Sequence, residues 1–428
     1  MRRFHSSMKI CRKTACVGLA ALMMLGAMSG CGKGEPETRD ELPGVGTSGD
    51  ASDAENEKFD EDSKEVKQKT KQIEGLIDKY FYFDEESDKR EEGYYDGIMK
   101  GLDDPYSVYY TKEEYDRLQE DDSGSFEGIG ATVSKDMSTG VISVVKPLEG
   151  SPAEAAGLEA GDVIIKVDDL ELTNDMELDY VVGHIRGEKG TNVDIQVYRE
   201  GEEDYLTFTI TRDKIETKTV AYEMLEGDIG YIQVEQFIEN TPELFKEAVD
   251  SLQKDGAKGI VIDLRDNPGG FVNSVIEMSD YLIDDNEVAE GGSTKGLLLQ
   301  TKDKNDAVMD EYKCEDGHSV DIPMAVLVNG NSASASEIMA GCLKDYNKAE
   351  LIGTTTYGKG IVQSVIPLSD GSAIKITIAQ YFLPSGTAVH KVGVKPDKEV
   401  ELDVEKYKKN PEDHKNDNQL MEAVKTLD

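Results

Sequence analysis

Residues 258–270 read KGIVIDLRDNPGG, a short run of aliphatic residues that stops at a turn rich in proline and glycine. Residues 322–336 repeat this pattern of an aliphatic run followed by a turn, because IPMAVLVN is followed by the small residues of GNSASAS. Continuous apolar runs of this length predict strands buried on both faces, as in a parallel sheet covered by helices. An amphipathic helix is predicted just before the first strand, over residues 241–256. This alternation predicts α/β architecture for residues 214–428.

Three loops follow strands of this region and carry the residues typical of a reactive site. They read RDNPGG, NGNSASASE and YGKGIVQ. Ligands of open α/β sheets bind where loops leave the carboxyl ends of the strands. The serines of the second loop, Ser332, Ser334 and Ser336, stand where a helix should begin, so one hydroxyl can be exposed beside outward-facing amides. Helix capping by these serines is the structural alternative.

Lys359 lies in GTTTYGKGIVQ, residues 353–363, which reproduces most of a phosphate-binding P-loop. Gly360 stands where a P-loop needs a hydroxyl for Mg²⁺, and a β-branched run follows instead of a helix. A nucleotide site is therefore disfavoured, which leaves a general base or a surface lysine in a turn. The histidines that follow the leader fall outside the three loops: His184, His318, His390 and His414.

Residues 123–213 change to short strands punctuated by glycine. This arrangement resembles a PDZ domain, with the amides of Gly128, Ile129, Gly130 and Ala131 in place of the loop that binds a peptide carboxylate. The segment SPAEAAGLEAGDVIIKVDD follows at the distance that such a domain requires. Glycines let successive amides converge on a carboxylate while the peptide adds as a strand. Arg186 is a weaker hypothesis as a contact from this domain to the α/β region that follows it, and a solvated charge at a helix end is the alternative.

The N-terminus predicts export. Residues 1–31 combine basic residues, an apolar stretch from Ala15 to Met28, and small residues before Cys31, which is the pattern of a secretory signal. It resembles a bacterial lipoprotein signal, with Met28 in place of a branched aliphatic residue and Cys31 as the lipidated residue. An uncleaved anchor is the alternative. Both interpretations place the protein on the outer face of the cytoplasmic membrane.

Charge and composition exclude some partners. The chain has 47 basic and 87 acidic residues among 428, and a net charge of −40. Nucleic acid is excluded as a partner because phosphate binding needs a basic patch. Residues 32–64 are acidic and poor in apolar residues, so they should be a disordered tether, and residues 65–122 have helical periodicity. The sequence does not disclose whether the chain forms a homo-oligomer.

Residues from about 65 to 400 look like a carboxyl-terminal processing peptidase, a PDZ-containing serine protease with a Ser-Lys dyad. The stretches that carry this resemblance, besides the PDZ segment, are GLDDPYSVYYTKEEY, VIDLRDNPGG, VLVNGNSASASEIMAGCLKD, GTTTYGKGIVQSVIPLSDGS and GVKPD. The resemblance implies a crotonase-like (ClpP/crotonase) α/β core with an inserted PDZ domain and an N-terminal helical region. It also implies protein or peptide substrates with free C-termini, and neither a cofactor nor a metal.

Carried over by position, the family's nucleophile falls on Ser334, its general base on Lys359, and the glutamine that holds the lysine on Gln363. The oxyanion hole is implied to be the amide of Ala335 with that of Gly270, or with that of the neighbouring Gly269. An ordinary lysine, with a pKa of about 10.4, is almost fully protonated at pH 7, so burial must lower the pKa of Lys359.

Gln363 can orient the lysine without adding negative charge. Residues four apart in a regular strand are about 13 Å apart, so this contact requires a bend near Gly358 and Gly360. Two rival functions remain at the level of sequence: a non-catalytic PDZ scaffold that binds peptides, and a nucleotide-dependent enzyme.

Overall fold

The computed structural model describes residues 59–84, 87–411 and 413–427. The chain divides into two compact units, of which the first ends at Phe83 and the second begins at Asp84. The predicted signal, the predicted lipidation site Cys31 and most of the predicted tether lie outside the described residues. Within those described ranges, no helix is long and apolar enough to cross a membrane.

The region from residue 64 to residue 122 is mainly helical, as its periodicity predicts. Its first helix belongs to the first unit and begins where the Val66 amide donates to the Ser63 hydroxyl at 3.3 Å. Its last helix begins at a capping box, in which Thr111 and Glu114 satisfy each other's amides. The elements are α1 (Lys64–Tyr80), α2 (Ser87–Lys100), β1 (Val108–Tyr110) and α3 (Lys112–Asp122).

The glycine-punctuated region forms its own antiparallel sheet. The elements are β2 (Ser125–Gly128), β3 (Ala131–Lys135), β4 (Ile142–Pro147), α4 (Pro152–Ala156), β5 (Val163–Val167), β6 (Leu170–Glu171), α5 (Leu178–Ile185), β7 (Asn192–Tyr198), β8 (Leu206–Thr211) and β9 (Asp213–Glu216). Strand order is β3-β4-β5-β7-β8, with β6 paired to β5 and β3 at an edge. Strands β2 and β9 pair with each other, where the chain enters and leaves this region.

Residues 220–427 fold as the predicted alternation of strands and helices. The elements are β10 (Val220–Leu225), β11 (Ile229–Val234), α6 (Thr241–Lys254), β12 (Gly259–Asp263), α7 (Val272–Leu282), β13 (Leu297–Lys302), β14 (Val308–Lys313), β15 (Met324–Val328), α8 (Ala335–Asp345), β16 (Ala349–Gly353), β17 (Ile361–Pro367), β18 (Ala373–Phe382), β19 (Lys398–Glu399), α9 (Val404–Tyr407) and α10 (Asn418–Leu427), with a 3₁₀ turn at His414–Asn416. The strands predicted within residues 258–270 and 322–336 are β12 and β15, and every residue in both strands is buried.

Two sheets build this region. The first has the order β10-β11-β12-β15-β16-β19 and is parallel from β11 onward. The second has the order β1-β18-β13-β14, and β17 pairs along the other side of β18 as the predicted hairpin. Helices α6, α7 and α8 share one buried apolar cluster with strands of both sheets. The loops after β12, β15 and β16 therefore leave the same edge of the parallel sheet, as expected for a ligand-binding edge.

Two cysteines lie in this region, and neither forms a disulfide. Cys314 and Cys342 are both buried and free. The Cys342 thiol donates to the Leu298 carbonyl at 2.9 Å. Both residues are therefore part of the packed interior.

Candidate active site

Of the three serines in NGNSASASE, only Ser334 has an accessible side chain. The Ser332 hydroxyl is fully buried and donates to the Leu264 carbonyl at 2.7 Å. The Ser336 hydroxyl is equally buried and donates to the Asn267 carbonyl at 2.9 Å. Ser334 is half-buried and directly precedes α8. Helix capping therefore does not explain Ser332 or Ser336, since the N-cap residue of α8 is Ser334, and the two buried hydroxyls instead fix the loop from within.

The backbone at Ser334 is strained. Its φ of 56° lies in the left-handed region, which L-residues other than asparagine and aspartate seldom adopt. Such strain persists only where surrounding contacts over-determine it, and it is concentrated at functional sites. The Ser334 amide donates to the Glu337 carboxylate at 2.9 Å, and the Ser334 carbonyl accepts from the Tyr381 hydroxyl at 3.2 Å. These contacts hold the serine in its unusual conformation.

The RDNPGG loop is bound to the serine loop through Asn267. This side chain is fully buried, and its Oδ1 accepts from the Gly269 amide at 2.8 Å. Its backbone carbonyl accepts from the Ala333 amide at 3.0 Å. Asp266 adds a second connection, because its Oδ1 accepts from the side-chain amides of Asn329 and Asn331. The two loops form one hydrogen-bonded assembly.

The two glycines of this loop differ in what their amides do. The Gly269 amide is engaged by Asn267. For the amides of Gly270 and Ala335, no acceptor occurs among the residues that the structure describes. A Cβ on Gly269 would lie 2.9 Å from the Ala335 nitrogen, so the loop closely approaches the start of α8. Free amides beside a serine suit an oxyanion hole, and this arrangement favours Gly270 over Gly269 as a donor.

The structure adds a residue that the sequence analysis missed. Glu337 is fully buried, and its Oε2 accepts from the amides of Ser334 at 2.9 Å and Lys359 at 2.8 Å. Its Oε1 accepts from the Gly358 amide at 2.7 Å and from the Thr356 hydroxyl. One carboxylate thus joins the serine loop to the lysine loop. The S-x-x-E spacing from Ser334, followed by an apolar helix, was the available signal.

Lys359 is half-buried, and its Nζ lies 4.8 Å from the centre of the Tyr106 ring. Burial lowers the pKa of Lys359, and the positive charge of Lys375 acts in the same direction. The carboxylate of Asp104 opposes them by stabilising the ammonium. Since burial is the largest of these effects, the site favours the neutral amine more than water does.

Gln363 and Lys359 line one pocket of about 400 Å³, but no hydrogen bond joins them in the described part of the chain. The Nε2 of Gln363 is buried and lacks a partner there. The predicted bend is present, because Gly358 has a φ of 90° and a β-bulge falls between Val362 and Gln363. The role of Gln363 in holding the lysine stays a prediction.

The histidines lie in other settings. Three of them bond elsewhere, His184 to the Tyr180 carbonyl, His318 to the Tyr281 carbonyl and His414 to Glu223. His390 is nearer the site than its sequence position indicates, because a Cβ on Gly360 would lie 2.2 Å from its backbone nitrogen. Within the described ranges, no histidine is hydrogen-bonded to Ser334, and no group of three or more His, Cys, Asp or Glu residues could hold a metal ion.

In the glycine-punctuated region, residues 128–131 connect β2 to β3. Ile129 is buried, and Gly130 has a φ of 73°, a backbone conformation that residues with a side chain seldom adopt. Ala131 begins β3, the edge strand beside which an added peptide strand could pair. The predicted peptide-binding loop therefore ends at an open sheet edge.

In the part of the chain that the structure describes, the ion pairs of Arg186 are formed with α3 and none is formed with the α/β core. Its guanidinium bonds to Glu120 at 2.8 Å, lies 3.6 Å from Asp121, and stacks 4.9 Å from the Phe126 ring. It therefore joins α5 to α3.

Family comparisons agree with this architecture. The family described as "Peptidase family S41" matches residues 228–400, and a PDZ domain family matches residues 128–211. The carboxy-terminal processing protease CtpA of Bacillus subtilis is 40% identical over 322 residues, which are 75% of this chain and 66% of that protein. A probable CtpA-like serine protease of Staphylococcus saprophyticus is 37% identical over 343 residues, which are 79% of this chain and 66% of that protein.

Among solved structures, the photosystem II D1 C-terminal processing protease is 31% identical, over 77% of this chain and 86% of that chain, with a TM-score of 0.44. The chain spans about two thirds of the length of the curated relatives it matches. The two family models and the curated relatives show that the chain belongs to the carboxyl-terminal processing peptidases of family S41 and carries a PDZ domain.

Proposed function

We propose that this chain is a serine endopeptidase in which Ser334 is the nucleophile and Lys359 the general base. The observation that carries the proposal is the Glu337 carboxylate, which accepts from the amides of both residues at 2.9 and 2.8 Å. It fixes two loops that are distant in the chain on a single acceptor. Such bracing suits a serine and a lysine that must exchange a proton in a defined geometry.

The reaction proceeds in two halves. Neutral Lys359 takes the proton of the Ser334 hydroxyl as Oγ attacks the peptide carbonyl carbon, and the lysine then gives this proton to the leaving amine as the C–N bond breaks. The amides of Gly270 and Ala335 stabilise the oxyanion, each by about 3 kcal/mol. A water molecule, deprotonated by the same lysine, then hydrolyses the acyl-enzyme and restores Ser334.

Gln363 has a supporting role in this scheme. It lines the pocket of Lys359, and its Nε2 is buried without a partner in the described residues. With its amide group turned so that Oε1 faces the amine, Gln363 would accept from Nζ–H and leave the nitrogen lone pair for the proton of the serine. As a neutral side chain, Gln363 orients the base without raising its pKa.

The PDZ domain selects the substrates, which we infer to be exported proteins cleaved near their C-termini. A free C-terminal carboxylate would dock at the amides of residues 128–131, with the preceding residues pairing along β3. A peptide with a C-terminal carboxylate should therefore be cleaved faster than the same peptide with a C-terminal amide. Equal rates for the two would remove this part of the proposal.

The protein is proposed to act on the outer face of the cytoplasmic membrane, attached by a lipid on Cys31. Labelled palmitate should enter the full chain and be lost in Cys31→Ser. Unchanged labelling of that variant would favour an uncleaved anchor.

The finer fold assignment, a crotonase-like core, is also part of the proposal, supported by a parallel sheet covered by α6, α7 and α8.

A fluorophosphonate, which reacts with activated serines, tests the catalytic assignment directly. We expect the wild-type protein to be labelled on Ser334 and to degrade casein, an unstructured protein. Ser334→Ala should lose both properties while it retains its fold. If the wild-type protein is neither labelled nor proteolytic, a non-catalytic peptide-binding scaffold is the better description.

A further inference from the structure

We propose that Tyr106 is a positioning residue for the general base, and that its ring, held over the amine, shields Lys359 from water. The inference rests on the proposed function of Lys359. It assigns a role to the turn of residues 104–107, which lies in the stretch GLDDPYSVYYTKEEY and has no role in the proposed function. The starting observation is the distance of 4.8 Å between Nζ of Lys359 and the centre of the Tyr106 ring.

The turn that carries Tyr106 is firmly attached to the protease sheet. Asp104 Oδ2 accepts from the Ser107 hydroxyl at 2.6 Å and from the Thr377 hydroxyl at 2.7 Å. Its Oδ1 accepts from the Tyr106 amide at 3.1 Å. The Ser107 hydroxyl also accepts from the Thr377 amide at 3.1 Å. Two hydrogen bonds within residues 104–107 and two to Thr377 therefore fix this turn to one position of β18.

Strand β18 connects this turn to the base. After the turn, Val108 pairs with Lys375 on one side of β18. On the other side, β18 pairs with β17, where Gln363 lies opposite Thr377. Thr377 thus contacts Asp104 through its side chain and faces Gln363 through its backbone. The position of the Tyr106 ring relative to Lys359 is set by adjacent strands of one sheet.

The ring is a suitable cover for a lysine that must lose its proton. Burial raises the pKa of Tyr106 to about 12, so the phenol stays neutral where the lysine works. A ring face attracts an ammonium, but burial is the largest effect on the pKa of Lys359 and acts in the opposite direction. Removal of the ring would admit water, and the net result would be a higher pKa for Lys359.

Several charged groups surround Lys359, and they are the same in the wild-type protein and in a variant of Tyr106. Asp104 lies on the turn, Lys375 on β18 and Glu337 at the lysine's own amide. The other titratable residues that line the pocket are Asp96, Tyr109, Tyr110 and Glu114. A substitution of Tyr106 alters none of these charges, so a shift in the pH profile would report on the shielding.

The test is the rate of fluorophosphonate labelling of the full chain between pH 6 and 10.5, with casein cleavage as a second readout. For Tyr106→Leu, we expect the rising limb of the pH profile to move to higher pH by about one unit, so that the rate at neutral pH falls about tenfold. The rate should still reach the wild-type plateau at high pH. Tyr106→Phe keeps the ring and should follow the wild-type profile. Tyr94→Leu is the matched control, because this tyrosine is 60% exposed in the same helical region.

Thr377→Val provides an independent variant that leaves the ring in place. It removes the hydroxyl that bonds to Asp104 and should move the limb in the same direction by a smaller amount. A Tyr106→Leu profile that coincides with the wild type, or that is lowered equally at every pH, would overturn the inference. Failure of the wild-type protein to be labelled at Ser334 would instead overturn the proposed function.

Discussion

The serine side and the lysine side of the site are held in different ways. The loop of Ser334 is fixed by buried side chains on both flanks, by Asn267 and by Glu337. The loop of Lys359 is held by the same Glu337, and its backbone also bonds to Ser332, Lys391 and Tyr381. What differs is the lysine side chain, which these contacts leave unfixed. Beyond the backbone, the amine rests over the Tyr106 ring, and Gln363 has a buried Nε2 with no partner in the described residues.

This difference separates what must be rigid from what must move. Oxyanion donors stabilise charge best when they need no reorganisation, so the backbone around Ser334, Gly270 and Ala335 is built in advance. A proton carrier must approach first the serine and later the leaving amine. A buried amide group without a partner is costly, which marks the side chain of Gln363 as one that gains a partner by reorienting when the site is occupied.

Replacement of the base gives the largest expected effect and tests the lysine side most directly. Arginine keeps the positive charge of Lys359 but does not deprotonate in a protein. Lys359→Arg should therefore lower casein cleavage by about a thousandfold or more, in line with the loss of an essential base. Thermal unfolding checks that the variant is folded. Substantial activity in a folded Lys359→Arg protein would place the base elsewhere, with His390 as the first histidine to examine.

Glu337→Gln would break the link between the two sides. An amide in place of the carboxylate directs N–H donors at some of the four groups that now donate to Glu337. We expect a free energy of unfolding lower by about 3 kcal/mol, since hydrogen bonds to a buried charge are strong. Activity should fall about a hundredfold as the two loops lose their common acceptor.

Glu405→Gln serves as the control for Glu337→Gln, because Glu405 is exposed. Denaturant titration and casein cleavage measure the two effects. A Glu337→Gln protein with wild-type stability and activity would show that the serine and lysine loops hold their positions independently.

Gly270→Ala tests the rigidity of the serine side alone. Gly270 has a φ of 148°, and an added Cβ would lie 2.0 Å from the Phe237 carbonyl oxygen. The loop must shift, so we expect activity to fall about fiftyfold, the size of a partly lost oxyanion donor. Gly227→Ala is the control, because Gly227 also has a positive φ but open space around it. Equal activity in both variants would argue against a built oxyanion loop.

Gln363→Glu gives the smallest expected effect, a displacement of the pH profile. Wild-type activity should rise with pH, because the lysine works as a neutral amine and its pKa is lowered by burial. A carboxylate at position 363 favours the ammonium, so the pKa of Lys359 rises and the limb moves to higher pH by about one unit. Gln363→Leu adds no charge and should leave the limb in place while the plateau falls. A limb that stays fixed in Gln363→Glu would separate Gln363 from the base.

Much of this arrangement was accessible from the sequence, and the missing part has a physical reason. The buried strands β12 and β15 and the hairpin β17–β18 follow local patterns of side chains, which a reader of the sequence can see. The candidates Ser334 and Lys359 came from a resemblance over long motifs. Glu337 and Tyr106 were missed because their partners are distant in the chain, as Glu337 contacts Lys359 across 22 positions.

The paired strands β2 and β9 have a consequence for how such a protein can change over generations. The chain leaves the catalytic region and returns to it at neighbouring points, since the Thr217 amide donates to the Gly124 carbonyl at 2.9 Å. If residues 125–216 were deleted, a short turn could join Gly124 to Thr217. The PDZ domain is therefore a unit that gene rearrangement can remove, exchange or acquire in one event, with the strands of the α/β region left continuous.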